Sequence, residues 1–221
     1  MTKDKLPPSI VVCYYDMREI EKENPRELAQ RSCGDIVALC EQLRLATQHL
    51  ASAAKRKEIT DAIRLCEYYY EDAIARIYSL RERVWDALAA LAKVSRKKTG
   101  DDQFRRDVLA RLEANYPELR KSFEKLLTTI DADLKNRNVT THQTLLFLGI
   151  TLTPDFHDTY EIDSVLMWRD PESPAGKEIQ AMIRKALHRF VSQEAKKFRE
   201  TTNQAIEVER LCFDEIRKKS W

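Results

Sequence analysis

Apolar residues recur at spacings of three and four along most of this chain, the period of a helix with one face turned to a core. The pattern is clearest where Tyr70, Ile74, Ile77, Arg81, Val84, Leu88 and Leu91 fall on one stripe, with Trp85 beside it. Between Gly34 and Gly100 there are 65 residues without Gly or Pro, rich in Ala, Leu, Glu, Arg and Lys, which favour long helices. One turn is expected where the apolar pattern lapses across Lys55-Arg56-Lys57-Glu58, giving a helix of about 32–54 and another of about 57–94. After the second, Lys93, Arg96, Lys97 and Lys98 offer cations to a helix C-terminus, and Gly100 offers a stop.

A third helix is expected to begin at Asp101-Asp102 and to carry Phe104, Val108, Leu109 and Leu112. Pro117 should kink or briefly break it before Phe123, Leu126, Leu127, Ile130 and Leu134 resume the stripe, and it should end near 137–142. The period then fails over 145–176, where Thr151, Thr153, Pro154, Asp155, Pro171, Pro174 and Gly176 punctuate the chain. This reads as an ordered irregular insertion, at 146–172, with room for a short strand pair. A last helix of about 173–219 should bury Ile179, Ile183, Leu187, Phe190 and Val191, then Ile206, Leu211, Phe213 and Ile216. The expectation is an all-α bundle of four or more long antiparallel helices, forming one domain over 1–221.

Composition narrows the function. Lys plus Arg number 38 against 36 Asp plus Glu, so bulk charge does not hold this chain to nucleic acid and any such contact must be a local patch. The lopsided place is 177–199, where Lys177, Arg184, Lys185, Arg189, Lys196, Lys197 and Arg199 face only Glu178 and Glu194. Lys185, His188, Arg189, Lys196 and Arg199 fall roughly on one side of a helix. A basic face of this kind is a candidate RNA-binding track, since phosphate contacts dominate such affinity. The plainer reading, a solvated face of an amphipathic helix, is favoured on the pattern alone.

Five cysteines without a CxxC pair or zinc spacing fit reduced thiols in the cytoplasm, and Cys33 and Cys40 should share one buried helix face. Met1–Ser9 holds no apolar segment of signal length, and the longest apolar run, Leu145–Ile150 with Leu152, is too short for a membrane span. A soluble cytoplasmic protein without membrane contact is expected. His157 lies among Asp155, Asp158, Glu161 and Asp163, but no second histidine supports a metal site, and a loop reading is preferred. Neither metal nor cofactor is expected.

The segment Arg137-Asn138-Val139-Thr140-Thr141-His142 sets a cation, a carboxamide and an imidazole together at the end of a helix, a set suited to acid/base chemistry on a phosphodiester. Arg44 and His49 repeat the spacing, but within a strongly helical stretch, where five residues turn through about 140° and point the side chains apart. Around Arg137, Asn136, Asn138 and the β-branched residues weaken the helix, so a bend could let the groups converge. Plainer roles stay open: His142 at a helix start, Asn138 as a C-cap, Arg137 as a cation on a helix C-terminus. Tyr78 reads as core and Arg81 as an ion-pair partner, with cleft-lining roles as the alternative.

Two segments together resemble the HEPN family of compact helical domains. One is residues 68–82, Tyr-Tyr-Tyr-Glu-Asp-Ala-Ile-Ala-Arg-Ile-Tyr-Ser-Leu-Arg-Glu, which is similar to a Tyr-rich helix with an Ile-Tyr-Ser-x-Arg core. The other is Arg137-Asn138 followed by three variable residues and His142, in the same order and one long helix further on. The resemblance covers roughly 57–145 and implies a metal-independent endoribonuclease acting as a homodimer, in a toxin or antiviral-defence setting, with an antitoxin or regulatory protein as partner. It gives His142 the proton transfers, Arg137 the phosphoryl charge and Asn138 an orienting role. The alternative is a non-catalytic helical module of the same fold that binds RNA, nucleotide or protein. Thr144 stands where some toxin members carry a modified tyrosine, so that route of regulation is not implied. Leu145, Leu146, Phe147, Leu148, Phe156 and Trp168 supply apolar surface for the expected dimer contact.

Overall fold

Asn24 and Pro25 start the first helix, seven residues before the expected position. In the computed structural model, which describes residues 24–95, 101–140 and 172–219, the Asn24 side chain accepts a hydrogen bond from the Arg26 amide at 3.0 Å and Pro25 fills the first turn. Helix α1 runs Pro25–Ala53 and α2 Ile59–Ala92, with a tight loop between them across the basic run. Helix α3, Asp101–Asn115, and α4, Pro117–Thr140, are separated by Tyr116 alone, because Pro117 has no amide hydrogen to continue the ladder. Helix α5, Pro174–Lys218, is capped by the Ser173 hydroxyl, which accepts from the Gly176 amide at 3.0 Å. Its 45 residues extend about 67 Å at 1.5 Å per residue. The described residues are all-α, and the insertion expected at 146–172, with its strand pair, lies almost wholly outside them.

Helices α1 and α2 form an antiparallel hairpin, registered by Asp35–Arg83 at 3.6 Å and by stacking of His49 on Tyr69 at 5.1 Å. Helix α5 lies across both, antiparallel to α1 and parallel to α2. Near its start, Arg184 reaches the carbonyls of Arg56 and Lys57; further on, Phe190 and Phe198 flank Tyr70 at 5.4 and 5.9 Å; just beyond its end, Lys219 donates to the Leu91 carbonyl at 2.8 Å. Helix α4 runs antiparallel to α2, placing Phe123 edge-on to Trp85 at 4.7 Å and Asp131 beside Arg81 at 3.6 Å. Helix α3 covers the other side of Trp85 with Phe104. One apolar core joins all five helices.

The expected stripe of α2 is buried, and Arg81 has its ion pair. Tyr78 does not join the core: it is 48% exposed, because the buried row passes through Ile74, Ile77 and Leu80 and leaves Tyr78 a hundred degrees round from Ile77. In the second half of α5, Ile216 is buried and Leu211 packs half-buried against the core as expected, but Ile206 and Phe213 fall outside the buried row. An unbroken helix carries the buried row through Ile183, Leu187, Val191, Glu194, Phe198, Thr201, Ala205, Val208, Cys212 and Ile216, leaving Ile206 44% and Phe213 37% exposed. The polar members Glu194 and Thr201 conceal this row in the sequence. The Glu194 carboxylate accepts from Lys197 at 2.6 Å, which offsets part of its desolvation.

Helix α2 does not run on to a glycine stop. Lys93 takes the left-handed conformation, φ 53°, its amide donates to the Ala90 carbonyl at 3.1 Å, and the Val94 amide reaches back to Ala89 at 2.9 Å. This is a Schellman motif with lysine where glycine is usual. The carbonyls of Ala92 and Lys93 accept from Arg111 at 3.0 and 3.4 Å. Cations from α3 and from the residue after α5 therefore complement this helix end.

Two backbone substitutions of opposite sense should both stabilise the fold. Gly34 lies inside α1, exposed, with nothing within 4 Å of an added Cβ, so Gly34→Ala should raise stability by about 0.5–1 kcal/mol in urea denaturation. Lys93→Gly relieves left-handed strain at an exposed position and should add up to about 1 kcal/mol in the same measurement. A loss of stability in either variant contradicts the corresponding local geometry.

Candidate nucleic-acid interface

The buried row of α5 fixes what its opposite face presents. Between residues 181 and 199 the exposed positions are Ala181, Met182, Lys185, His188, Arg189, Ser192, Gln193, Lys196 and Arg199, with no carboxylate among them. Structure sorts the basic residues of this stretch. Lys177 pairs with Glu172 at 3.1 Å and Lys197 with Glu194, while Arg184 turns to the α1–α2 loop. Lys185, Arg189, Lys196 and Arg199 form no ion pair among the described residues, and they share one solvent-facing side with His188. The candidate binding residues Lys185, His188, Arg189 and Lys196 are thus brought together along one helix. From Lys185 to Arg199 the row spans about 21 Å at the helical rise. Such a row of point charges with flexible stems suits successive phosphates, which attract cations whatever the base sequence.

A second exposed cationic element, which reading the sequence did not connect with this face, is the loop beside it. Lys55, Arg56 and Lys57 are all exposed, and Arg184 holds the loop that carries them to α5. Their sequence signal was a run of three cations where the apolar pattern lapses, which marks a turn and does not say which helix will lie beside it.

The second candidate site is divided by the limits of the described residues. Helix α4 continues through Arg137, Asn138 and Val139 and ends at Thr140, so the bend expected from Asn136 onward does not occur within these residues. The favourable backbone geometry of the preceding turns carries the helix past two asparagines whose propensity costs are only tenths of a kcal/mol, on the order of 0.7 at most. His142 lies outside the described residues. The duplicate spacing is surface, as its helical setting requires: Arg44 is exposed and paired with Glu41 at 3.0 Å, and exposed His49 stacks on Tyr69.

The buried cysteines do not offer a thiolate nucleophile. Burial, with Glu209 and then Glu41 adding to it, pushes the Cys40 thiol up to about 12. Burial and then Glu67 do the same to Cys66, again to about 12. Cys212 is raised first by its hydrogen bond with Cys33 and then by burial. All four are free cysteines between packed helices. No cluster of three or more His, Cys, Asp or Glu side chains able to hold a metal occurs among the described residues, and no described helix is long and apolar enough to cross a membrane.

Comparison with protein-family models, with curated proteins and with solved structures gives no match to this chain.

A thiol reagent at pH 7 should leave Cys33, Cys40, Cys66 and Cys212 unlabelled in the folded protein and label them after denaturation, as read by peptide mass. The raised thiols also set a sign for pH. They ionise near 9.0 in the unfolded chain and near 12 for Cys40 and Cys66 in the folded one, so their contribution is intact below pH 9 and is lost as pH rises towards 12. Melting temperature should therefore fall above pH 9. Rapid native labelling at any of the four would contradict the packing.

Proposed function

We propose that this chain binds RNA along the exposed face of α5 and cleaves it without a metal through Arg137 and His142, oriented by Asn138, as a homodimer. The observation that carries the reading is the unpaired cationic row at Lys185, Arg189, Lys196 and Arg199, which no exposed carboxylate interrupts between Glu178 and Glu200. The cleavage step rests on the resemblance of residues 68–82 and 137–142 to the HEPN family. Supporting it, the helices that carry residues 68–82 and 137–140 are packed neighbours, α2 against α4 through Trp85 and Phe123. Helices α4 and α5 are also antiparallel neighbours, joined by a 3.4 Å hydrogen bond from the Ser122 hydroxyl to Glu207. On parallel axes, equal rise along both, about 22 Å over fifteen residues, would set residue 137 level with residue 192, between Arg189 and Lys196, which supports the reading.

In this reaction the RNA 2′-hydroxyl gives its proton to one histidine as its oxygen attacks the adjacent phosphorus. The bond from phosphorus to the 5′-oxygen breaks, and that oxygen is protonated by a second acid. Arg137 stabilises charge on the non-bridging oxygens. Each copy of the motif contributes one histidine, so a facing copy completes the pair of proton-transfer groups. A toxin or antiviral-defence role, a regulatory protein partner and a cytoplasmic location belong to the same proposal.

The helical course of α4 favours a second reading, a non-catalytic RNA-binding module. Five helical residues turn through about 140°, so Arg137 and His142 converge within one chain only if the backbone leaves the helix after Thr140.

Incubation with RNA in EDTA separates the two. The native protein should yield fragments ending in a 2′,3′-cyclic phosphate, and Arg137→Ala or His142→Ala should slow cleavage by about a hundredfold to ten-thousandfold. His49→Ala should cleave at the native rate. Cleavage that survives in the His142 variant, or that needs added magnesium, overturns the catalytic assignment.

A further inference from the structure

Arg184 immediately precedes the exposed cationic row of α5 and is not part of it. Its guanidinium donates to the Arg56 carbonyl at 2.8 Å and to the Lys57 carbonyl from a second nitrogen. One planar, permanently charged fork thus holds two consecutive carbonyls of the α1–α2 loop against α5. The loop is also braced from within, since the amides of Lys55 and Arg56 donate to Ser52 and Ala53 at 3.2 and 3.0 Å. With its carbonyls facing α5 and its backbone fixed, the loop presents Lys55, Arg56 and Lys57 to solvent. None of the three forms an ion pair among the described residues.

Lys185 follows Arg184 directly and His188 lies one helical turn on, so the loop cations adjoin the first residues of the α5 row. The combined surface holds seven unpaired Lys and Arg side chains: Lys55, Arg56, Lys57, Lys185, Arg189, Lys196 and Arg199. The carboxylates nearest in sequence are Glu58, Glu178, Glu194 and Glu200: Glu194 is buried and paired with Lys197, Glu200 accepts from the Gln204 side chain at 3.2 Å, and exposed Glu58, Glu178 and Glu200 bound the surface without interrupting it. Met182 is the one large apolar residue exposed between 181 and 199, which gives a lipid surface little to embed.

We infer that the α1–α2 loop is the second half of a phosphate track, in which a single-stranded nucleic acid lies along α5 and crosses onto Lys55, Arg56 and Lys57. The inference rests on reading the α5 face as a nucleic-acid surface, and it adds a second element and a direction for the strand. RNA and DNA present the same phosphates, so both strands are competent probes of the track.

The test is fluorescence anisotropy of the full chain with a 20-nucleotide 2′-O-methyl RNA and with DNA of the same sequence, across a salt series. Each single-strand phosphate contact contributes about 0.7 to the slope of log affinity against log salt. Lys55→Ala/Arg56→Ala/Lys57→Ala should therefore lower the slope by about 2 and weaken binding about tenfold, with an unchanged melting temperature. Lys121→Ala/Lys125→Ala, which removes exposed cations of α4, should leave the slope as it is. Binding of either strand with that contrast supports the track. A loop variant with the native slope, an equal effect from the α4 variant, or native protein that binds phosphatidylserine vesicles and neither strand overturns it. The methylated probe cannot be cut at its 2′-position, so loss of cleavage with retained binding counts against Arg137 and His142 alone.

Discussion

Burial of α2 near its C-terminus is the constraint on which the remaining helices depend. Leu88, Ala89, Ala90, Leu91 and Ala92 are consecutive and all buried, so the helix is enclosed on every side over its last turn and a half. Three alanines in that run permit close approach of neighbouring backbones without a void. Enclosure also removes water from the terminal carbonyls, which must find donors within the protein. They find them in the Lys93 turn, in Arg111 and in Lys219, so the ends of α3 and α5 are fastened where α2 stops. Trp85, one turn earlier, completes the arrangement between Phe104 and Phe123.

The second constraint is continuity in α5. A single helical period over 45 residues assigns one side to the core and leaves the opposite side to Lys185, His188, Arg189, Lys196 and Arg199. The candidate interface is therefore a by-product of packing phase: shifting the helix register by one residue would draw these cations towards Tyr70 and Cys40. The candidate interface and the core are coupled in this helix through geometry, although the cations themselves contribute nothing to the core.

Helix existence was largely legible in the sequence, because long apolar periods and the punctuation at Pro117 and Ser173 are local signals. The early start of α1 was missed because Asn24-Pro25 is a short capping signal ahead of a segment containing Gly34. Ile206 and Phe213 were wrongly assigned to the core of α5, while Ile216 was rightly assigned, because burial of Glu194 and Thr201 depends on tertiary neighbours and the two large apolar residues are the more conspicuous. Of the candidate sites, the α5 face could be read directly, since exposed positions follow from periodicity. The diversion of Arg184 to a loop 128 residues away could not, because it depends on which helices meet. For the Arg137–His142 segment, the sequence suggested a bend that the α4 backbone through Thr140 does not make, and His142 falls beyond the described residues.

The parallel course of α2 and α5 has a bearing on how the molecule assembles. Helices α1 and α2 meet across five residues, whereas the Cys40 thiol meets the Thr202 carbonyl across a separation of 162. Closing the short connection costs far less chain entropy than closing the long one. The hairpin can therefore form while its groove, lined by Cys33, Ile36, Cys40 and Leu43, is still empty, and α5 is the closing element. During synthesis the chain of α1 and α2 emerges well before that of α5, so any hairpin formed at that stage leaves its α5-facing seam uncovered. Arg184 and Lys219, bonded near either end of α5, then act as two latches that set its axial position along α2 as it closes.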